Sequence, residues 1–238
     1  MRGVVLFSGG LDSLLALKIV QEQNVTLKII NFSTVFFNSD KKLQSMASRY
    51  GLKLKIIDVS EEYFDILKKP TWGYGKNANP CIDCKMFMLK KAAEYGDFLV
   101  TGEVVGQRPM SQLKDRLLYI EKHTNLKGKI LRPLSAKLLE PTIPEQEKVI
   151  DREKLLDING RSRKRQLELA KAYNLDDYLT SAGCLLTKKH YGQKVFDLIK
   201  HDQLNLRNVK LLKTGRHFRK DSNKIIVGKN SEENDRLM

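Results

Sequence analysis

The sequence lacks the features that are typical of small disulfide-rich proteins, membrane proteins and secreted proteins. Three cysteines in 238 residues are too few for the disulfide framework of a small secreted domain. No run of about 18 apolar residues occurs, so no transmembrane helix is expected. The apolar segment and cleavage site of a signal peptide are also missing at the N-terminus. We therefore expect a cytoplasmic protein with no membrane partner.

Acidic residues are scarce relative to basic ones. The chain has 28 Asp and Glu against 43 Lys and Arg, which gives a formal net charge of +15. Such an excess favours a polyanionic partner, with nucleic acid first. A surface that is simply rich in lysine is the alternative interpretation. The hydrophobic fraction of 41% is enough for a buried core, and the length suits one large α/β domain with a small appendage.

The most informative segment is residues 8–13, with the sequence SGGLDS. It follows a short apolar run and leads into a second one, an order typical of a strand, a tight loop and a helix. The glycines let the backbone approach a ligand closely, and the start of the helix offers N–H donors to an anion. Ser8 and Ser13 add hydroxyl groups, and the Asp12 carboxylate suits Mg²⁺ beside phosphates. The loop has no lysine and is not a Walker A loop; an ordinary glycine turn is the alternative.

Strand-like and helix-like segments alternate through the first half of the chain. We predict strands at residues 25–30, 53–59, 98–101 and 129–131, and helices at 41–50 and 84–95. The alternation predicts an α/β fold, a Rossmann-like parallel sheet with helices on both faces. Ligands of such sheets bind beyond the carboxyl ends of the strands. Four polar residues are expected at these ends: Ser8, Asn31, Asp58 and Thr101.

The second half of the chain is less regular. After about residue 133 we predict helices at 152–158, 163–173 and 191–200. Two strands are predicted at 208–212 and 224–227, joined by the basic segment 213–220. A domain boundary is predicted between residues 199 and 200. Residues 1–199 would hold the nucleotide site and the helices that bind the substrate, and residues 200–238 would form a small basic extension.

The cysteines have an informative spacing. Cys81 and Cys84 form a Cys-x-x-Cys at the start of a predicted helix, where the dipole favours thiolates, and Cys184 lies a hundred residues further on. From the residues alone, three interpretations stay open. Three thiolates could hold a [4Fe-4S] cluster, or one cysteine could carry a persulfide that another resolves as a disulfide. With His190 as a fourth ligand, the three cysteines could instead hold structural zinc.

Two basic segments are candidates for RNA contact. In the first, four cations stand at the predicted start of a helix, where they oppose the dipole unless a phosphate is bound: Arg161, Arg163, Lys164 and Arg165. The second segment surrounds Phe218, an aromatic ring that could stack on a base. Its candidate contacts are Arg216, Arg219 and Lys220. A solvated charged face and a buried phenylalanine are the corresponding alternatives.

Taken together, these features resemble the PP-loop ATP pyrophosphatases, and among them the tRNA thiolation enzymes that make 2-thiouridine and 4-thiouridine. The resemblance covers about residues 1–190 and includes the SGGLDS loop, the three cysteines, the pair Thr101-Gly102 and the segment Leu131-Arg132-Pro133-Leu134. It implies an adenine nucleotide alpha hydrolase-like fold. It also implies an ATP-dependent tRNA sulfurtransferase, which adenylates a base carbonyl and then replaces the oxygen with sulfur. Glu103 departs from the family, because many relatives carry His there.

The resemblance also implies site residues, cofactors and partners. ATP with Mg²⁺ would be bound by Ser8, Gly9, Gly10, Asp12, Ser13, Asn31, Phe32, Ser33, Thr101 and Gly102. The SGGLDS loop would hold the phosphates, and residues 31–33 would contact adenine. Cys81, Cys84, Cys184 and Asp12 are the implied catalytic residues. Because all three cysteines are present, the family branch with a [4Fe-4S] cluster fits better than the branch that uses only the places of Cys84 and Cys184.

The implied partners are tRNA and an external sulfur donor, either sulfide or a sulfur-carrier protein, with a homodimer among the assemblies considered. Two other functions stay open at this point. One is a PP-loop adenylating amide ligase that acts on a small molecule. The other is an RNA-binding protein with a vestigial nucleotide site and structural zinc.

Overall fold

The computed structural model describes residues 1–37, 40–108, 111–180 and 183–237. The chain divides into two compact units. The first unit comprises residues 1–32, 39–57 and 84–181, and the second comprises residues 33–38, 58–83 and 182–238. Over the described ranges, no helix combines the length and the apolar character that a membrane crossing requires.

A five-stranded sheet organises the chain up to residue 131. Its strands are β1 (Arg2–Leu6), β2 (Thr26–Ser33), β3 (Leu54–Asp58), β4 (Phe98–Val100) and β5 (Ile130–Leu131). The order across the sheet is β3-β2-β1-β4-β5. β1 pairs in parallel with β2 and β4, and β4 pairs in parallel with β5. Val4, Val5 and Leu99 in the central strands are fully buried, as expected where helices cover both faces of a parallel sheet. The predicted α/β parallel-sheet fold is confirmed.

The helices are labelled in chain order. They are α1 (Leu11–Gln21), α2 (Asp40–Arg49), α3 (Ser60–Lys68), α4 (Cys81–Ala93), α5 (Lys114–Thr124), α6 (Ile143–Gln146), α7 (Lys164–Ala172), α8 (Lys189–Lys200), α9 (Leu206–Leu211) and α10 (Ser231–Asp235). α1 is apolar around most of its circumference, and most of its residues are buried. Such a helix belongs in the core. It therefore fixes the position of the loop that precedes it.

The second unit has an aromatic core and a C-terminal hairpin. Phe36 packs against Tyr63, Phe64 and Tyr191, with ring centroids 5.9, 6.1 and 6.4 Å away. The hairpin consists of β6 (Arg216–Lys220) and β7 (Asn223–Val227), which pair in antiparallel fashion.

Two sequence predictions for this C-terminal region are wrong. Most of the strand predicted at 208–212 lies in α9, because the Asn205 side chain caps the helix by accepting a hydrogen bond from the Asn208 N–H at 2.9 Å. The basic segment 213–220 is not a simple connection either, since β6 occupies its second half. Only one residue of β6, Phe218, is strongly apolar, so hydrophobic periodicity does not reveal the strand.

Candidate nucleotide site and cysteines

The SGGLDS loop covers the end of β1 and the start of α1. Residues 8–10 connect the two elements, and Leu11, Asp12 and Ser13 lie in the first turn of α1. β1 has β2 on one side and β4 on the other, so the loop lies where the strand order reverses direction, the usual ligand position in such sheets. Its serines fix the shape of the loop. The Ser8 hydroxyl donates to Ser13 Oγ at 3.1 Å, and the Ser13 hydroxyl donates to the Gly10 carbonyl at 2.8 Å. No side chain caps α1 at Gly10, which leaves the first N–H groups of the helix for an anion.

Two glycines of this region are required by close contacts. Gly9 has a φ of +73°, and a Cβ there would lie 2.6 Å from Leu43 and 2.8 Å from Leu179. Gly102, just after β4, is tighter still, because a Cβ would lie 2.5 Å from the backbone carbon of Asp12 and from the nitrogen of Ser13. The backbone after β4 therefore touches the backbone of the loop. Main-chain contact between the ends of β1 and β4 therefore holds this part of the site together.

Asp12 is the charged centre of this loop. Its Oδ2 accepts a hydrogen bond from Gln107 Nε2 at 2.8 Å. Gln107 in turn accepts from Gln166 Nε2 at 3.0 Å, and Gln166 is fully buried on α7. Asp12 Oδ1 is buried without a hydrogen-bond partner, and its nearest cation is Arg163 Nη2 at 3.6 Å. The carboxylate is thus held in place through one oxygen while the other is available to a cation.

These observations match the requirements of a bound nucleoside triphosphate. Uncapped helix N–H groups and a close glycine backbone suit phosphate oxygens. The buried Oδ1 of Asp12, which lacks a donor, suits Mg²⁺, because that ion prefers carboxylate oxygens beside phosphates. Gln107 and Gln166 help to hold Asp12 in place. The sequence does not indicate this role, because neither residue belongs to a motif and both contacts join positions far apart in the chain.

The other predicted nucleotide residues lie at the ends of β2 and β4. Asn31 is buried, and its amide donates to the Phe7 carbonyl at 2.7 Å, a bond that fastens β2 to the end of β1. Phe32 and Ser33 are the buried last residues of β2. The buried Thr101 hydroxyl donates to Glu103 at 3.3 Å. The contact of residues 31–33 with adenine stays a prediction.

A buried charge network supports the segment after β4. Glu103 forms ion pairs with Lys85 and with Arg132, whose Nε lies 2.9 Å from the carboxylate, and Arg132 also pairs with Glu121. Burial disfavours the charged form of Glu103, but the two cations outweigh it and lower the pKa of Glu103 to about 2. The residue that departs from the family pattern is therefore an ionised partner of Arg132. Its ion pairs with Lys85 and Arg132 fix the position of the chain directly after Gly102.

The cysteines lie in two segments of the chain. Cys81 and Cys84 are on the first turn of α4, and Cys184 precedes a short 3₁₀ helix, Leu185–Thr187. All three are partly buried thiols. Asn79 Nδ2 donates to Cys81 Sγ at 2.9 Å. Burial raises the pKa of the Cys184 thiol to about 11, and the charge of Cys81 adds to this rise. Both cysteines belong to the second unit.

Backbone contacts hold these two cysteine segments together. The Ala78 N–H donates to the Leu186 carbonyl at 3.2 Å, and Asn77 Nδ2 donates to the Thr187 carbonyl at 2.7 Å. Among the described residues, no group of three or more His, Cys, Asp or Glu side chains is placed to hold a metal ion. The [4Fe-4S] cluster at Cys81, Cys84 and Cys184 therefore stays a prediction, as does zinc with the exposed His190.

The predicted RNA contacts divide into exposed and engaged cations. Arg161 and Lys164 are exposed at the start of α7, whereas Arg165 pairs with Asp157 at 2.6 Å. In the hairpin, Arg219 is only 18% exposed and pairs with Asp197 at 2.7 Å. Arg216 and Lys220 are exposed. RNA binding by these residues stays a prediction.

Solved structures with similar folds were found, but at low identity. One is described as a predicted subunit of tRNA methyltransferase from Methanocaldococcus jannaschii, with 18% identity, a TM-score of 0.48, and coverage of 72% of this chain and 76% of that one. Another is the U34-tRNA thiolase NcsA from Methanococcus maripaludis with its [4Fe-4S] cluster, with 16% identity, a TM-score of 0.40, and coverage of 89% and 70%.

A third is a 4-thiouridine synthetase–RNA complex with bound ATP, with 17% identity, a TM-score of 0.44, and coverage of 89% of this chain but 51% of that one. The sequence has no significant match among curated proteins.

A family model, in contrast, matches more than half of the sequence. It is described as thiamine biosynthesis protein (ThiI), and it covers residues 1–143. The match includes β1, the SGGLDS loop, α1, Gly102 and β5, together with Cys81 and Cys84. It confirms the PP-loop, tRNA-thiolation type that the sequence resembles. Since the match covers more than half of the sequence and includes the loop and the sheet described above, the chain belongs to the ThiI family.

Proposed function

We propose that the protein is an ATP-dependent tRNA sulfurtransferase. The observation that carries this proposal is the construction of the SGGLDS loop at the end of β1. Asp12 is fixed there by Gln107 and keeps one buried oxygen without a donor, and the helix beside it has no side-chain cap. Membership of the ThiI family and the net charge of +15 support an RNA substrate for the same chemistry.

In the first step, the loop binds and orients ATP. The N–H groups of Gly9, Gly10 and the first turn of α1 hold phosphate oxygens. Asp12 Oδ1 would hold Mg²⁺, which would neutralise charge at the phosphates. A carbonyl oxygen of a tRNA base attacks the α-phosphate, and pyrophosphate leaves. The products of this step are an adenylated base and pyrophosphate.

Arg163 connects this step to the RNA. Its guanidinium lies 3.6 Å from Asp12 Oδ1 and is half exposed, on the basic segment that we predict to contact tRNA. A cation at Asp12 competes with Arg163, because both use the same carboxylate oxygen. Binding of Mg²⁺ with ATP would then release Arg163 toward a tRNA phosphate. Occupancy of the nucleotide site and the hold on tRNA would be linked by this one side chain.

In the second step, sulfur replaces AMP. We propose that Cys184, with Cys81, delivers sulfur that an external donor has supplied as a persulfide. The terminal sulfur forms a bond to the activated carbon, AMP leaves, and attack by the second cysteine on the remaining sulfur produces a disulfide. An external thiol reductant must then restore the two thiols. The hydrogen bonds that join the chain segments of Cys81 and Cys184 support such a pair.

The proposal is tested by following labelled ATP with purified protein, Mg²⁺ and unmodified tRNA. We expect AMP release that requires tRNA and is lost in Asp12→Asn. The matched control is Asp157→Asn, which removes a carboxylate of the first unit that pairs with Arg165 and lies outside the loop. AMP release that does not need tRNA, at the same rate with a small-molecule acceptor, would contradict the proposal and favour an amide ligase.

A further inference from the structure

The C-terminal hairpin has two faces of different character. Along β6 and β7, alternate residues are half-buried or exposed. The exposed face, which we call the open face, consists of Arg216, Phe218, Lys220, Asn223, Ile225 and Val227. Three of these are large apolar side chains, with Phe218 54%, Ile225 44% and Val227 46% exposed. An apolar cluster of this kind on a surface marks a binding site more often than an exposed single residue does.

The opposite face anchors the hairpin to α8. Arg219 and Lys224 both pair with Asp197. Arg219 Nη1 also donates to Gln203 Oε1 at 2.8 Å and to the Ser222 carbonyl at 2.9 Å. Partial burial opposes ionisation of Asp197, but the two cations outweigh it and lower the pKa of Asp197 to about 2. The basic residues of this face are therefore used in structure, and they hold the open face in a fixed position.

The register of the strands places cations on both sides of the aromatic ring. Phe218 lies opposite Ile225, Arg216 opposite Val227, and Lys220 opposite Asn223. Residues two positions apart on a strand are separated by about 7 Å and point the same way. A ring with apolar neighbours is thus flanked by Arg216 and Lys220 along β6. None of the six side chains of the open face is acidic.

We propose that the open face binds an unpaired stretch of RNA, with a base stacked on Phe218 and the adjacent phosphates paired with Arg216 and Lys220. Every base has a π-face, so an exposed ring binds unpaired bases, while the flanking cations neutralise the backbone. The positive charge of this face and of the whole chain favours a polyanion over a second copy of the same basic protein. That the RNA is tRNA rests on the proposed function.

The test measures binding of a fluorescent single-stranded RNA to the full chain by anisotropy, over a range of salt. Phe218→Leu keeps an apolar side chain but removes the ring, and Phe218→Tyr keeps the ring. We expect binding to weaken roughly 5- to 150-fold in Phe218→Leu, the range for loss of one stacked base, and to stay near that of the wild type in Phe218→Tyr. Unfolding temperatures should be unchanged, because Phe218 is exposed.

The charged pair is tested by the double variant Arg216→Gln/Lys220→Gln. Loss of two phosphate contacts should lower the slope of log K against log salt by about 1.4, the value for single strands. The matched control is Lys122→Gln/Lys127→Gln, which removes the same charge from exposed positions on and just after α5. We expect the control to keep the slope of the wild type.

The proposal is wrong if Phe218→Leu binds as well as Phe218→Tyr, or if the control changes the slope as much as the hairpin variant does. It is also wrong if the only defect of Phe218→Leu is loss of self-association in sedimentation, because the open face would then join copies of the chain. AMP release is measured separately with the wild type. If Phe218→Leu weakens RNA binding but the wild type makes no AMP with tRNA, the proposed function is refuted and this inference stands.

Discussion

Replacement of Gly102 by alanine tests whether contact between the ends of β1 and β4 shapes the nucleotide site. A Cβ at this position would lie 2.5 Å from the backbone of Asp12 and Ser13, about 0.9 Å inside the 3.4 Å at which ordinary contact begins. These are backbone atoms at the start of a buried helix, so no side chain can rotate away. We expect a loss of stability of about 1–3 kcal/mol from overpacking. Displacement of Asp12 by roughly 1 Å should lower tRNA-dependent AMP release about a hundredfold.

Gly10→Ala is the matched control within the same loop. Gly10 has a φ of −75°, and a Cβ there would meet nothing closer than Ser8 Oγ at 3.5 Å. Alanine therefore fits the folded loop, and a gain of about 0.4–1 kcal/mol is expected from the less flexible unfolded chain. Thermal unfolding and calorimetric titration with ATP measure both effects. If Gly102→Ala unfolds as Gly10→Ala does and binds ATP as the wild type does, the reasoning from this backbone contact is refuted.

Three further predictions concern the buried network, the hairpin and the cysteines. Arg132→Met leaves Glu103 and Glu121 buried without their shared cation, and chemical denaturation should show a loss of about 3–5 kcal/mol; a loss under 1 kcal/mol would contradict the network. The lowered pKa of Asp197 means that its ion pairs stabilise the fold fully above about pH 4, and that this contribution falls as the pH drops toward 2. When the free energy of unfolding is measured as a function of pH, Asp197→Asn should lack this loss of stability between about pH 4 and pH 2. A profile equal to that of the wild type would contradict a contribution from the Asp197 ion pairs. Cys184→Ser should abolish thiolation of tRNA while AMP release stays within about twofold, and a parallel loss of both would place Cys184 in the first step instead.

The fold and the position of the SGGLDS segment between β1 and α1 could be predicted because their signals are local. The SGGLDS segment, with apolar runs on both sides, is contiguous, and its two glycines and its aspartate have their roles within one turn of chain. The parallel sheet follows from alternation of short apolar runs with helical segments, a pattern that needs no long-range information. The position of Thr101 and Gly102 beside the loop follows in turn from the general rule for parallel sheets.

The remaining contacts of the site could not be predicted, because they join residues distant in sequence. Gln107 reaches Asp12 across 95 positions, and Gln166 reaches Gln107 across 59. Neither glutamine differs in the sequence from a surface residue. In the C-terminal region, the cap at Asn205 makes a helix where β-branched and apolar residues favour a strand, and β6 is obscured by the charges on both of its faces. Charge alone also did not distinguish Arg219, which is used in the fold, from Arg216 and Lys220, which are exposed.

The most direct test of the central claim measures both products of one reaction. Purified protein is incubated with ATP, Mg²⁺, unmodified tRNA, a sulfur donor that carries a persulfide and a thiol reductant, and AMP and thiolated nucleosides are quantified by mass spectrometry. The account predicts that one thiolated nucleoside appears for each AMP, and that Asp12→Asn produces neither. AMP without a thiolated nucleoside under every donor tested, or thiolation that persists in Asp12→Asn, would contradict it.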